Sequence, residues 1–281
     1  MKIIKSIKKM QQFASAAKSQ GKTIGFVPTM GYLHKGHISL VRQAVRDTDV
    51  VVMSIFVNPL QFGPKEDFKK YPRDFKRDSG LAKDAGVDVI FFPSEKSMYP
   101  DNYQTYIEAE QLSKYLCGAS RPGHFKGVAT VVAKLFNIVK PNIAYFGQKD
   151  CQQAIIINRM AKDLNMDLKI KVMPIVREPD GLAMSSRNAY LSPTHRKEAL
   201  VLKNALQKAK NMISSDETDS RKIISSMRDI INTGAPSESD YLSIVDVDTL
   251  TDVKTIKASV LIALAVKIGN TRLIDNIVVR K

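Results

Sequence analysis

His34 and His37 stand three positions apart in the stretch Pro28-Thr29-Met30-Gly31-Tyr32-Leu33-His34-Lys35-Gly36-His37. On an entering helix that spacing is one turn, so both imidazoles address the same ligand. Imidazole N–H groups donate to phosphate oxygens. A helix starting here also aims backbone N–H groups and a partial positive charge at the turn. Gly31 and Gly36 leave room where a Cβ would block approach. Two of the chain's four histidines beside glycines therefore point to phosphate chemistry. Zinc is not indicated, because the pair lacks the H-E-x-x-H spacing and a third ligand.

Three further stretches carry suitable groups. Asn58-Pro59-Leu60-Gln61-Phe62-Gly63 holds amides that both donate and accept, which suits a hydroxyl or a carboxylate. An ordinary turn amide explains Gln61 equally well at this point. Gly147-Gln148-Lys149-Asp150 combines a small residue with a mobile cation, and Gln153 lies one turn further on. Met184-Ser185-Ser186-Arg187-Asn188 offers two hydroxyls and a guanidinium able to make paired bonds to phosphate. A plain surface loop has the same letters.

The elements that must position these groups read as follows. Thr23–Val27 is a β-branched apolar run before the histidine stretch, and Ile38, Val41, Ala44 and Val45 recur at helical spacing after it. The histidine stretch is therefore a strand-to-helix turn. Val50–Val57 is almost wholly apolar, as a strand buried on both faces of a parallel sheet should be. Strands are also expected at 87–92 and 143–146, at 168–173, and near Tyr103–Ile107. Helices are expected at 6–20, 128–139 and 151–164. Strands alternating with helices predict an α/β doubly wound, Rossmann-like parallel sheet over 1–176. Ligands sit beyond the carboxyl ends of such strands, and the stretches at 28–37, 58–63 and 147–150 all follow strand ends. From 177 to 281 the pattern changes to helices near 194–214 and 218–232, then strands at 241–245, 260–266 and 274–279, with Gly269-Asn270 as a turn. That predicts a smaller C-terminal α+β domain, which would carry the 184–188 loop.

Composition narrows the class. The chain has 281 residues, 44% hydrophobic and 25% charged, enough for two cores of ordinary globular type. No apolar run reaches the roughly 20 residues of a membrane span, and the N-terminus lacks the pattern of a secretory signal. Cys117 and Cys151 have no metal spacing and are too few for a disulfide framework, so reduced thiols in a cytoplasmic protein are expected. The net charge of +15 admits nucleic acid, anionic small molecules or a hydrated basic surface. The lysines are scattered and not interleaved with stacking aromatics, so nucleic acid is not the expected partner.

His34-Lys35-Gly36-His37 resembles the HIGH motif of the nucleotidyltransferase superfamily, and Met184–Asn188 resembles a reduced KMSKS loop. With Phe56–Gly63, Arg121–Thr130 and Phe146–Asp150, in that order, the set resembles the pattern of the pantothenate synthetase family over nearly the whole chain. The resemblance implies ATP-dependent ligation of (R)-pantoate and β-alanine through an adenylate, with Mg²⁺, in a cytoplasmic homodimer with no membrane partner. It implies ATP on Met30 to His37, on Gly147 to Asp150, on Val176 and on Met184 to Arg187. It implies pantoate and β-alanine at Gln61, Gln153, Asn58, Pro28 and Met30. His34, His37, Lys149, Ser185, Ser186 and Arg187 become the charge-stabilising set, and Asp78 an outer carboxylate toward Mg²⁺. Arg121 and His124 either close over the substrate or structure their loop. Cys151 departs from the aromatic often found at its position. The alternatives are another HIGH-motif adenylyltransferase and a basic RNA-binding protein on a Rossmann shell.

Overall fold

The fold is described from a computed structural model, over residues 1–64, 66–233 and 238–280, the Glu238 side chain excepted. In chain order the elements are β1 (Lys2–Ile4), α1 (Ile7–Ser19), β2 (Ile24–Thr29), α2 (Lys35–Asp47), β3 (Val50–Ile55), α3 (Phe75–Ala85), β4 (Val89–Phe91) and α4 (Glu95–Met98). Next come α5 (Leu116–Ser120), α6 (His124–Val139), β5 (Ile143–Gly147), α7 (Cys151–Asp163) and β6 (Lys169–Met173). The chain ends with α8 (Pro193–Glu198), α9 (Leu200–Ser214), α10 (Ser220–Asn232), β7 (Glu238–Asp246), β8 (Val260–Ile268) and β9 (Thr271–Val279).

Two compact units result. The first takes 1–113, 121–148 and 153–174; the second takes 114–120, 149–152 and 175–281. The first contains the expected doubly wound sheet, all parallel, in the order β1-β4-β3-β2-β5-β6. Alternate β2 residues serve opposite faces. Val27 joins Leu40, Val41 and Ala44 of α2 and Ala82 of α3 in one core, while Phe26 meets Phe136 of α6 edge-on at 6.4 Å. Strand order reverses between β2 and β5, which places the topological switch point beyond their carboxyl ends. The histidine turn leaves β2 there, and Gly147 ends β5 beside it.

The second unit is a three-stranded antiparallel sheet, β7-β8-β9, with a core shared with α9 and α10. Val260 to Val266 are buried throughout, as a strand covered on both faces requires.

Two local expectations change. Residues 103–107 are irregular instead of a strand. Tyr99, Tyr103 and Tyr106 pack edge to face in a ladder, and the Ile107 N–H goes to Thr130 Oγ1 at 2.9 Å instead of to a neighbouring strand. Conversely, β1 pairs with β4 although Lys2–Ile4 carries no periodic signal. A three-residue edge strand with Ile3 48% exposed is too short to show alternation.

Candidate active site

The histidine turn is built around Asp78. This α3 carboxylate is 1% exposed and accepts from the Tyr32 N–H at 2.6 Å and the Leu33 N–H at 2.7 Å. The chain turns at Gly31 and Tyr32, with φ values of 86° and 50°, and the successive N–H groups of 32 and 33 converge in this turn as an anion-binding nest. A Cβ on Gly31 would meet Asp78 Oδ2 at 3.0 Å and Ile55 Cγ2 at 3.1 Å, so only glycine fits without a shift. Arg77 donates to the Leu33 carbonyl at 2.9 Å and lies over the Tyr32 ring. The nest is thus filled by the chain's own carboxylate. That geometry makes Asp78 a loop anchor in preference to an outer magnesium ligand. Among the described residues no three His, Cys, Asp or Glu side chains cluster to hold a metal.

The two imidazoles cap α2 themselves. His34 Nδ1 accepts from the Gly36 N–H at 3.1 Å, and His37 Nδ1 accepts from the His34 N–H at 3.3 Å. A backbone N–H only donates, so each neutral ring carries its proton on Nε2. The rings lie 4.1 Å apart, centroid to centroid. The backbone N–H groups expected to face a ligand are therefore used internally at 32, 33, 34 and 36. With Nδ1 accepting, the other polar position of each neutral ring is Nε2–H.

Beside the turn, the structure brings Met30, Asn58 and Gln61 together. Asn58 Nδ2 donates to Gln61 Oε1 at 3.0 Å, and Gln61 Nε2 donates to Met30 Sδ at 3.3 Å. Gln61 lies on a 3₁₀ turn, Pro59–Gln61, started by Pro59 and capped by Asn58. Helix α6 presses against this turn at Gly127, where a Cβ would overlap the Leu60 carbonyl oxygen. Arg121 makes two bonds to Glu66, at 2.7 and 2.6 Å, and its Nη1 donates to His124 Nε2 at 3.0 Å. The proton of a neutral His124 is then on Nδ1, which donates to the Gln61 carbonyl at 2.8 Å. Arg121 and His124 thus structure the loop that carries Gln61. Pro28 lies within β2, and Gln153 in the first turn of α7. At Gly147 a side-chain Cβ would meet no atom of the described residues within 4 Å, its chain neighbours apart.

Lys149 and the hydroxyl-cation loop belong to the second unit. The Lys149 carbonyl accepts from Asn276 Nδ2 of β9 at 3.0 Å, and its Nζ lies 3.9 Å from Asp150. At the root of the loop, Arg177 makes two bonds to the buried Asp275, at 2.6 and 2.9 Å. Val176 accepts from the Met184 N–H at 3.0 Å, and Arg177 bridges Ala183. Glu178 accepts from Asn188 and Arg196, each at 2.8 Å. Burial pushes the Glu178 carboxyl up, but these bonds and the Arg196 charge outweigh it and hold it below its ordinary value. Ser185 Oγ accepts from the Arg187 N–H at 3.2 Å, which orients the start of the 3₁₀ turn Ser186–Tyr190. Both cysteines are free thiols, and burial, with Cys117 and Asp150 nearby, pushes Cys151 up to about 12. It is no thiolate nucleophile at neutral pH.

Residues 2–278 match the family model for pantoate-beta-alanine ligase. The chain belongs to the pantoate–β-alanine ligase family. It is 56% identical over 279 residues to a pantothenate synthetase of Acetivibrio thermocellus, covering 99% of each chain. It superposes on the crystal structure of pantothenate synthetase from Thermus thermophilus with a TM-score of 0.93 at 42% identity, covering 99% of both chains. A Francisella tularensis pantoate-beta-alanine ligase, solved with βγ-ATP and β-alanine, matches with a TM-score of 0.81 at 37% identity, over 99% of this chain and 97% of that one. In this chain Glu66 (to Arg121), Tyr99 (its hydroxyl to Asn58 Oδ1), Glu178 (to Asn188), Asp275 (to Arg177) and Asn276 (to the Lys149 carbonyl) hold the expected site residues or their loops in place. A lone carboxylate, amide or phenol gave no sequence signal, because its partner lies far along the chain.

Proposed function

We infer that this chain joins (R)-pantoate to β-alanine at the expense of ATP, releasing AMP and pyrophosphate through a pantoyl adenylate. The observation that carries the reading is the His34–His37 pair, held as Nε2–H donors at the switch point of a fold that the family matches end to end.

In the first step a pantoate carboxylate oxygen bonds the α-phosphorus while the bond to pyrophosphate breaks. The carboxylate is already ionised at neutral pH, so no general base is required. The protein's task is alignment and stabilisation of charge on phosphate oxygens. We assign that to His34, His37, Lys149, Ser185, Ser186 and Arg187, with ATP also along Met30–Gly36, Gly147–Asp150, Val176 and Met184. In the second step the β-alanine amine bonds the acyl carbon, AMP leaves, and the amine loses a proton. A mixed anhydride reacts with an amine without an enzyme nucleophile, in keeping with the protonated Cys151. Gln61 and Gln153 are assigned to pantoate's polar groups, and Pro28 and Met30 to its methyl groups. Asn58, expected at the substrate, is instead buried with its amide bonded to Leu60, Tyr99, Gly127 and Gln61, and is left to hold Gln61. Mg²⁺ is proposed to arrive on the ATP phosphates, where it supplies charge neutralisation. Asp78 is already engaged by two backbone N–H groups, and no residue is assigned to hold the ion. A cytoplasmic homodimer is proposed from the family resemblance, and sedimentation velocity tests the dimer.

Pyrophosphate exchange into ATP tests the reading. Exchange is expected to need pantoate and neither β-alanine nor tRNA. Exchange driven by an amino acid or a mononucleotide, or ATP-independent RNA binding with steep salt dependence, overturns it.

A further inference from the structure

Asn58 is 1% exposed, and its amide is saturated. Its Oδ1 accepts from the Leu60 N–H at 3.3 Å and the Tyr99 hydroxyl at 2.8 Å. Its Nδ2 donates to the Gly127 carbonyl at 3.1 Å and to Gln61 Oε1 at 3.0 Å. A backbone N–H only donates and a backbone carbonyl only accepts, so Leu60 and Gly127 fix which end of Asn58 is which. That settles Gln61 in turn. Its oxygen faces Asn58, and its Nε2 points away, toward Met30 Sδ. A thioether is a weak acceptor and engages one N–H of two. The donor edge of the Gln61 amide is therefore the edge on the Met30 side.

Tyr99 is held in place for this contact. Its ring packs 6.2 Å from Phe56 and 5.1 Å from Tyr103, with Lys134 Nζ 5.6 Å above it. Burial, with Tyr103, Tyr106 and Glu95 adding to it, holds the phenol above its ordinary range, so the hydroxyl stays a donor.

We propose that Tyr99 is a positioning residue for the substrate acid: through Asn58 it holds the Gln61 amide with its N–H edge toward the substrate, so the site selects an oxygen acceptor there. This rests on the assignment of Gln61 to pantoate. An amide free to turn would present its own oxygen half the time and repel a carboxylate or an accepting hydroxyl. No contact with the reacting atoms is assigned to Tyr99.

The test is a double-mutant cycle read as a KM against kcat split. Tyr99→Phe removes one oxygen and keeps the ring ladder. It is expected to raise the KM for pantoate about three- to tenfold, the range of one lost neutral hydrogen bond, with the KM for ATP unchanged. In a Gln61→Ala background the same substitution is expected to add nothing. Equal effects in both backgrounds, or an unchanged pantoate KM in Tyr99→Phe, overturn the relay while the assignment of Gln61 stands. An unchanged pantoate KM in Gln61→Ala alone overturns that assignment and the proposal with it. Asn58→Asp serves as a second variant should Tyr99→Phe fold poorly. A carboxylate offers Gln61 only acceptors and turns its amide round, so the pantoate KM should rise further; a wild-type value overturns the proposal.

Discussion

Asn276 Nδ2 donates to the Lys149 carbonyl at 3.0 Å, which ties the turn Gln148–Asp150 at its central residue to the last strand of the second unit. The neighbouring Asp275 holds Arg177 at the root of the 184–187 loop. Two consecutive polar residues of β9, 3% and 2% exposed, thus set the position of both cationic segments. Losing the Asn276 bond strands a carbonyl and costs roughly 1–3 kcal/mol. Asn276→Ala should therefore slow pantoate-dependent pyrophosphate exchange by about fivefold or more. The effect should vanish in a Lys149→Ala background, and an equal loss in both would show that Asn276 acts elsewhere.

The cap geometry makes a spectroscopic prediction for the histidine pair. With both Nδ1 atoms accepting from backbone N–H groups, ¹⁵N spectra at neutral pH should show His34 and His37 as Nε2–H tautomers. A protonated Nδ1 on either would remove the donor role argued here. His37→Ala deletes one preorganised donor and should cut adenylation by about 10²–10³. A loss below roughly threefold would leave His37 as a helix cap and nothing more.

Much of this was legible in the sequence, for physical reasons that can be named. The apolar run at 50–57 and the turn at 28–37 announced a strand, found at 50–55, and a strand-to-helix junction, because apolar runs and glycines report local geometry directly. Gln61 was ambiguous, because its orientation depends on Asn58, Gly127 and Tyr99, and the last two are far along the chain. The role of Asp78 as a nest filler was equally hidden: its partners lie 46 and 45 residues away. The stretch near Tyr103–Ile107 misled because aromatic and β-branched residues favour strands, while here the tyrosine rings pack on one another and on lysine ammoniums.

Asp78→Asn should separate folding of the turn from chemistry. The amide keeps one acceptor and sets an NH₂ group against a backbone N–H. Two charge-assisted bonds at 2.6 and 2.7 Å are lost or weakened, at a cost of about 2–5 kcal/mol. Urea denaturation should show that loss together with a fall in adenylation. Stability within about 0.5 kcal/mol of wild type, the range of an inert surface change, would mean that the nest holds without its anion.

Gly127→Ala tests the seam between α6 and the Gln61 turn. The added methyl would overlap the Leu60 oxygen and lie 2.7 Å from the Gln61 nitrogen. Backbone must move, so destabilisation of about 1–3 kcal/mol is expected. The pantoate KM should rise with it, since Gly127 also receives Asn58 Nδ2. An unchanged KM alongside lost stability would show that the turn shifts without disturbing the amide.

The Glu66–Arg121 pair gives the loop a pH dependence with a definite sign. Burial pushes the Glu66 carboxyl up, but the Arg121 hydrogen bonds and charge, with help from the Gly63 backbone and His124, outweigh it and hold it below its ordinary 4.5. A carboxyl depressed in the fold adds stability that is full above 4.5 and is lost as pH falls through the lower folded value. Glu66→Gln removes the titration. The stability difference between wild type and variant should therefore be flat from neutral pH down to about 5, then shrink toward zero in more acid solution. Denaturant midpoints measured across that range decide it. A difference that grows on acidification would reverse the sign and show that burial, not Arg121, governs Glu66.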